Sequence, residues 1–233
     1  MTPDQFTKEA NDFKLGFRID LVEVLLKDFQ LQHYWNALSE PISRKFHSQF
    51  FTEEWVKSYL MNVYEGVLYS HLTREQTRMV LVAAMYSRVG FDHNQPIEVS
   101  MFKAMHMFDH MHGYLTENKA TAKFALSDED RKEINRLIRH TFKEAPWSPN
   151  TNIKEAILRD ASLMWRYHNE PEVLKRFLVG FDMESTEPLN TETQFKRHSA
   201  ACVNFRWSTR WAKMKNVVLN FPAKDQQNAI IAI

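Results

Sequence analysis

The sequence has few of the residues that cross-link chains or interrupt regular structure. Its 233 residues include one cysteine, five glycines and eight prolines. The single cysteine, Cys202, excludes an intramolecular disulfide and fits a reducing compartment. Because glycine and proline are scarce, a turn-rich β architecture is disfavoured and helices are favoured.

Long apolar runs and an excess of charge of one sign are also absent. No run approaches the roughly 20 apolar residues that span a bilayer, and the first residues lack the basic and apolar regions of a secretory signal. The formal net charge is +1, so the chain as a whole has no electrostatic attraction to nucleic acids or membranes. These absences predict a soluble, cytoplasmic protein without a membrane partner.

Apolar residues at helical spacing, by contrast, are abundant. Hydrophobic residues make up 44% of the chain and aromatic residues 13%, enough to bury a sizeable core. No segment alternates in the manner of a strand, so an all-α fold is predicted. Composition divides the chain into an N-terminal helical region at 1–51, a helical core at 52–181, and a linker with C-terminal helices at 182–233. The last helix is predicted over about Glu192–Val218, packed on the core.

The most apolar stretch, Met79–Asp92, is predicted to be the central helix. Thr73 begins a sequence with the form of a capping box, and the residues after it are apolar on nearly all sides, which indicates burial. Gly90 can adopt the left-handed conformation that ends many helices. Two polar residues, Ser87 and Arg88, therefore fall at the C-terminal end of a buried helix.

Residues Ala83–Asp92 resemble the signature of the HD-domain metal-dependent phosphohydrolases, in which an adjacent His and Asp bind metal. Ser87 and Arg88 stand at the positions of that pair. A later stretch, Leu158–Leu163, is similar to the family's Leu-Asp-Ala-Asp-Leu, and Asp160 occupies the ligand position. Tyr64 is assigned to the position of the family's first His. The resemblance covers 52–181 and implies an HD-like helical bundle with additional N- and C-terminal helices.

The same resemblance implies a metal site that has lost most of its ligands. Serine is a poor metal ligand, and the permanent charge of arginine repels a divalent cation. We therefore expect no catalytic residue and no cofactor, and we expect Arg88 to form a buried ion pair with Asp160. The implied function is that of a catalytically inactive protein that binds a nucleotide, another phosphorylated ligand or a protein partner. The residues expected to hold an anion are Arg88, Arg139, His140 and Arg159.

A divergent metal-dependent nucleotide phosphohydrolase is an alternative. Its divalent metal ion would be held by His93, His110, His140 and Asp160. A separate cluster on one predicted helix comprises His106, Asp109, His110 and His112. The i, i+4 spacing of His106 and His110 puts two imidazoles on one helix face. Surface or half-buried histidines of an amphipathic helix are the favoured interpretation of that cluster.

The segment 206–215 interleaves cations with indoles and supports a third hypothesis, a nucleic-acid-associated protein. Arg206, Arg210 and Lys213 are predicted to share one helix face that could meet phosphates, while Trp207 and Trp211 could stack on bases. A helix packed by its tryptophans, with a solvated basic face, is the favoured alternative. The apolar end of the sequence, Phe221–Ile233, is predicted to pack on this chain or on another copy in a homo-oligomer.

Overall fold

The fold is known from a computed structural model, which describes residues 18–39, 50–142, 152–168, 170–184, 193, 196 and 206–219. Within these ranges the chain forms nine α-helices, three short 3-10 helices and no strand, which confirms the all-α prediction. The α-helices are α1 Val22–Asp28, α2 Gln32–Ser39, α3 Glu53–Tyr69, α4 Arg74–Tyr86, α5 Ile97–Glu117, α6 Asp128–Phe142, α7 Ile153–Leu163, α8 Pro171–Met183 and α9 Arg210–Leu219. None of these nine combines the length and apolar character that a membrane crossing requires.

Helix α4 is the buried centre, as its sequence predicts. The Thr73 side chain accepts from the Gln76 backbone N–H while the Gln76 side chain accepts from the Thr73 N–H, so the capping box is complete. Six of its residues are fully buried: Val80, Leu81, Val82, Ala83, Met85 and Tyr86. The chain turns after this helix at Gly90, whose φ is +72°.

The neighbouring helices pack around α4 because each has an apolar face. α3, α6 and α5 all contact α4, and α7 lies against both α3 and α6. Helix α3 begins at a cap in which the Thr52 side chain accepts from the Trp55 N–H. On the far side of the bundle, α8 contacts the 3-10 helix Met164–Tyr167. This junction is filled by an aromatic cluster of Phe50, Trp55, Trp165, Phe177 and Phe181.

Helix α9 packs on α3 through a close indole–glycine contact. A Cβ at Gly66 would lie 3.1 Å from Cε3 of Trp211 and 3.1 Å from a methyl carbon of Ile157. Trp211 is fully buried, so the absence of a side chain at Gly66 allows the indole to approach the α3 backbone. Helix α9 is thereby joined to α3.

Some predicted boundaries differ from the observed ones. The sequence predicts one last helix from about Glu192. Thr193 and Lys196 are helical, but residues 206–208 are not, and α9 begins at Arg210. Helix α5 extends to Glu117, four residues beyond the predicted Gly113. Most of the predicted linker, and the apolar end 221–233 with its predicted packing, lie outside the described residues.

Candidate functional site

The candidate site is the corner where α4 ends, which carries Ser87 and Arg88. Ser87 is completely buried, and its hydroxyl donates to the Ala84 carbonyl oxygen at 2.9 Å. This bond lies within the end of α4 itself. The hydroxyl is therefore engaged by the helix.

Arg88 is held between two aromatic rings rather than by a carboxylate. Its guanidinium carbon lies 5.1 Å from the centroid of Phe51 and 4.9 Å from that of Phe142. One terminal nitrogen donates to the Thr141 carbonyl oxygen at 3.0 Å, while Nε is buried without a hydrogen-bond partner among the described residues. Burial lowers the pKa of Arg88. The guanidinium fills the corner from within the protein.

The structure places Tyr59 beside the Ser87–Arg88 pair and Tyr64 elsewhere. The Tyr59 hydroxyl donates to the Leu158 carbonyl oxygen at 3.1 Å. Burial raises the pKa of Tyr59, while the positive charge of Arg88 and a hydrogen bond with Ser87 oppose that rise. Tyr64 instead packs edge-on against Phe29, with ring centroids 5.7 Å apart. Tyr59, five residues before Tyr64 on α3, is thus the tyrosine beside Ser87 and Arg88, and the assignment of Tyr64 to the position of the family's first His stays a prediction.

Asp160 is buried on α7, and it binds the segment that leads into α9. Its carboxylate accepts from the Thr209 N–H at 2.7 Å, the Thr209 hydroxyl at 2.9 Å and the Ser208 N–H at 3.0 Å. Arg159 also donates to it, at 3.1 Å. Burial raises the pKa of Asp160 while these donors oppose the rise. The Thr209 hydroxyl in turn accepts from the Ala212 N–H and so caps α9.

The expected ion pair between Arg88 and Asp160 is therefore wrong. Both residues are described, and neither is within ion-pair distance of the other: Arg88 contacts Thr141 and two rings, and Asp160 contacts Arg159, Ser208 and Thr209. The physical reason is that the start of α9 supplies neutral donors to Asp160. The sequence pattern singles out Asp160 but does not reveal that the start of α9 docks on it.

The four residues expected to hold an anion differ in their partners. Arg159 donates to Asp160, to the Arg206 carbonyl oxygen and to the Ser208 hydroxyl. His140 lies 3.5 Å from a carboxylate oxygen of Glu155, and Arg139 is exposed on α6. Arg88 is enclosed by rings. Three of the four are thus engaged by other parts of the protein.

The alternative metal set is not assembled either. His93 is exposed in the loop after α4 and His110 is exposed on α5, whereas Asp160 is buried on α7. In the part of the chain that the structure describes, no three His, Cys, Asp or Glu side chains come together as a metal site would require.

The histidine cluster of α5 divides between the surface and the core. Asp109 accepts from Arg131 at 2.7 Å and from Asn135 at 2.8 Å, which joins α5 to α6. His112 is buried, where burial lowers its pKa and its Nδ1 is 3.3 Å from the Tyr34 hydroxyl. The other two members, His106 and His110, are exposed.

The tryptophans of the C-terminal segment belong to the core. Trp207 is 5% exposed and Trp211 is fully buried, so neither can stack on a base without leaving its packing site. Arg206 precedes the helix, which corrects the prediction that it shares a helical face with Arg210 and Lys213. All three cations are exposed, but the arrangement required for alternating stacking and phosphate contacts is absent from residues 206–215.

A buried charge network that the sequence analysis missed lies between α3 and α9. Lys215 is fully buried, and its ammonium group donates to both carboxylate oxygens of Glu65 and to the Asn62 side-chain oxygen, each at 3.0 Å. The Trp211 indole N–H donates to Glu65 at 2.8 Å. A sequence signal for this network exists, because Lys215 follows Trp207 and Trp211 at intervals of four and so falls on the apolar face.

Comparisons of the chain with models of known protein families, with curated proteins and with solved structures find no match. No family is assigned. The likeness to HD phosphohydrolases rests on Ala83–Asp92 and Leu158–Leu163.

Proposed function

We propose that this protein is a catalytically inactive, HD-like helical protein that acts by binding another protein. The proposal rests on the contacts that the polar side chains make at the corner where α4 ends. Its cation lies between Phe51 and Phe142, and the one acidic residue at a ligand position, Asp160, accepts hydrogen bonds from the start of α9. The polar groups of the corner are thus used for packing.

Metal-dependent hydrolysis of a phosphate ester requires several fixed ligands and a metal-bound hydroxide. At this corner, serine and arginine stand in place of two ligands, and a tyrosine hydroxyl bound to a carbonyl oxygen stands near a third. A divalent ion here would meet the positive charge of Arg88 and compete with four donors for Asp160. These residues do not fit a catalytic metal ion.

A protein partner is favoured over a phosphorylated ligand for two reasons. Three of the four residues in the proposed anion set are engaged by protein groups. Four exposed apolar side chains instead lie on α5, where Ile97, Val99, Phe102 and Tyr114 are 42%, 38%, 63% and 56% exposed. Single exposed apolar residues are common, but several on one helix mark a candidate contact surface.

The test measures metal content, nucleotide hydrolysis and thermal stability of the purified full-length protein. We expect no stoichiometric metal that depends on Asp160, no hydrolysis across a panel of nucleotides with added Mn²⁺ or Mg²⁺, and no rise in melting temperature with any nucleotide. A ligand that binds only the folded state would raise that temperature. A nucleotide-dependent rise would replace the protein-binding proposal with nucleotide binding.

The variant Asp160→Asn separates a structural role from a metal-binding role. Because Asp160 binds the start of α9, we expect this variant to lose roughly 1.5–3 kcal/mol of stability, the range for hydrogen bonds to a charged group. Amide exchange in α9 should accelerate. The matched control is Asp109→Asn, which removes a carboxylate bound to Arg131 and Asn135 on another helix. Metal-dependent hydrolysis that Asp160→Asn abolishes and Asp109→Asn retains would overturn the proposal.

A further inference from the structure

Helix α5 carries a stripe of exposed side chains at intervals of four residues. The stripe consists of Phe102, His106, His110 and Tyr114, all of them exposed. Each member is a surface neighbour of the next, so the four form a stripe that winds about a third of a turn around the helix between Phe102 and Tyr114. Phe102 and Tyr114, 63% and 56% exposed, lie at its two ends. Neither His106 nor His110 makes a hydrogen bond, ion pair or ring contact within the described residues.

The stripe is symmetric about its centre. In sequence, Phe102 and Tyr114 lie equally far before and after residue 108, and so do His106 and His110. A two-fold axis through this point, perpendicular to α5, would therefore set Phe102 of one copy against Tyr114 of the second copy, and Tyr114 of the first against Phe102 of the second. The two histidine pairs would meet at the axis. Such self-complementarity is what an interface between identical subunits requires.

The charges beside the stripe favour the same antiparallel arrangement. In that arrangement Lys103 faces Gly113, Glu117 faces Val99 and Glu98 faces Asn118 of the second copy, so no like charges are opposed. A parallel arrangement would instead place each of Glu98, Lys103 and Glu117, all exposed, against its own counterpart. Like-charge contacts across an interface cost free energy, which selects the antiparallel pairing.

The histidines add a metal-binding chemistry to this surface. Two imidazoles at i and i+4 have Cβ atoms about 5–6 Å apart and can bind one metal ion together. One pair supplies two ligands, and the symmetric pair from a second copy supplies two more, which completes the tetrahedral set that Zn²⁺ prefers. Neutral imidazole suits Zn²⁺ among the available cations.

The area of the surface indicates that the metal ion is needed. A helix of 21 residues is about 31 Å long at 1.5 Å per residue. One face of it is smaller than the roughly 800 Å² per partner of a standard stable interface. The apolar contacts of Phe102 and Tyr114 alone are therefore expected to give weak association.

We propose that α5 is a zinc-dependent homodimerisation surface, in which His106 and His110 of two antiparallel copies bind one Zn²⁺ ion and Phe102 packs against Tyr114 of the second copy. The inference deepens the proposed function and rests on it, because it names a second copy of this chain as the partner of the α5 surface. It is separable from the catalytic question, since the α5 stripe shares no residue with the corner of Ser87, Arg88 and Asp160.

The test is sedimentation or light scattering of the full-length protein at micromolar concentration, with Zn²⁺ or with EDTA. We expect a monomer in EDTA, and a dimer with one zinc ion per two chains in Zn²⁺. Dimerisation should strengthen by more than about tenfold, because a ligand that binds the dimer more tightly than the monomer shifts that equilibrium. The double variant His106→Ala/His110→Ala should stay monomeric in both conditions.

Two further variants locate the interface. Phe102→Ser should weaken the zinc-dependent dimer severalfold while zinc binding by each chain persists, since the histidine pair is intact. His93→Ala is the matched control, because it removes another exposed histidine from a loop outside α5, and it should dimerise as the natural chain does.

Three results would overturn the inference: a chain that stays monomeric with bound zinc, a dimer that forms equally in EDTA, or a dimer that survives loss of both histidines. Hydrolysis assays on the double histidine variant keep the two proposals apart. Zinc-dependent dimerisation together with hydrolysis that requires Asp160 would refute the proposed function and leave the interface standing. A monomer without hydrolysis would refute only the interface.

Discussion

The buried ion pair between Lys215 and Glu65 offers a sharp test of how α9 is attached to the core. The substitution Lys215→Met removes the ammonium group and keeps an unbranched side chain of similar length. Lys215 is fully buried and the Glu65 side chain is 6% exposed, so little water can reach the carboxylate that is left behind. The Trp211 indole N–H would still donate to it, but the cation would be gone.

The expected cost follows from this burial. Breaking a buried ion pair by removing one partner costs about 3–5 kcal/mol, because the remaining charge is uncompensated. For a domain of this size, each kcal/mol lowers the melting temperature by roughly 2–4 °C, so a fall of about 6–20 °C is expected. Burial also lowers the pKa of Lys215, while Glu65 raises it. In Glu65→Gln the lysine has lost its carboxylate partner, so its burial should become less costly as the pH rises and the amine loses its proton.

The assay is urea unfolding of the natural chain, Lys215→Met, Glu65→Gln and the double variant. The amide oxygen that Glu65→Gln introduces can still accept from Trp211, so the double variant should recover most of the stability that either single variant loses. Buried pairs replaced together by neutral groups are often close to neutral. A Lys215→Met cost below about 1 kcal/mol, or a double variant whose cost equals the sum of the singles, would refute the reasoning.

Two other predictions concern a buried histidine and two glycines. Burial lowers the pKa of His168 to about 4, below its unfolded value of about 6.5, so only the unfolded state takes up a proton between those values. The contribution of His168 to the free energy of unfolding should be fully present above pH 6.5 and should fall by about 3 kcal/mol as the pH drops to 4. Urea unfolding of His168→Gln across this range should show a shallower loss of stability than the natural chain. An equal loss in both proteins would contradict the lowered pKa of His168. Gly66→Ala should destabilise by about 1–3 kcal/mol through overpacking against Trp211 and Ile157. Gly113→Ala, with no atom near the added Cβ, should stabilise the protein by about 0.5–1 kcal/mol. A melting temperature higher for Gly66→Ala than for Gly113→Ala would contradict this packing.

The helices were predictable where local signals and apolar periodicity agree. The capping box at Thr73, the cap at Thr52 and the burial of residues 80–86 all follow from sequence. The start of α9 was missed because residues 206–208 are compatible with a helix by composition. They adopt another conformation because the Ser208 and Thr209 N–H groups donate to Asp160, a contact between residues nearly fifty positions apart.

The candidate site was less predictable than the helices. Sequence spacing placed Ser87 and Arg88 at the end of a buried helix, and the structure has them there. The partners of Arg88 could not be foreseen, because Phe51, Thr141 and Phe142 come from two distant segments. The network of Lys215 was missed for the same reason, since Glu65 and Asn62 lie on α3.

Asp160 shows why one matching acidic residue is weak evidence for metal chemistry. An aspartate at this position serves equally well as a metal ligand or as an acceptor for the start of a neighbouring helix, and the sequence pattern is the same in both cases. In this structure the carboxylate accepts two backbone N–H groups and the Thr209 hydroxyl. Turning it toward a metal ion would leave these donors without their acceptor, and a buried donor without a partner costs about 1–3 kcal/mol. Introducing His and Asp at positions 87 and 88 would therefore not create a metal centre unless the start of α9 also moved.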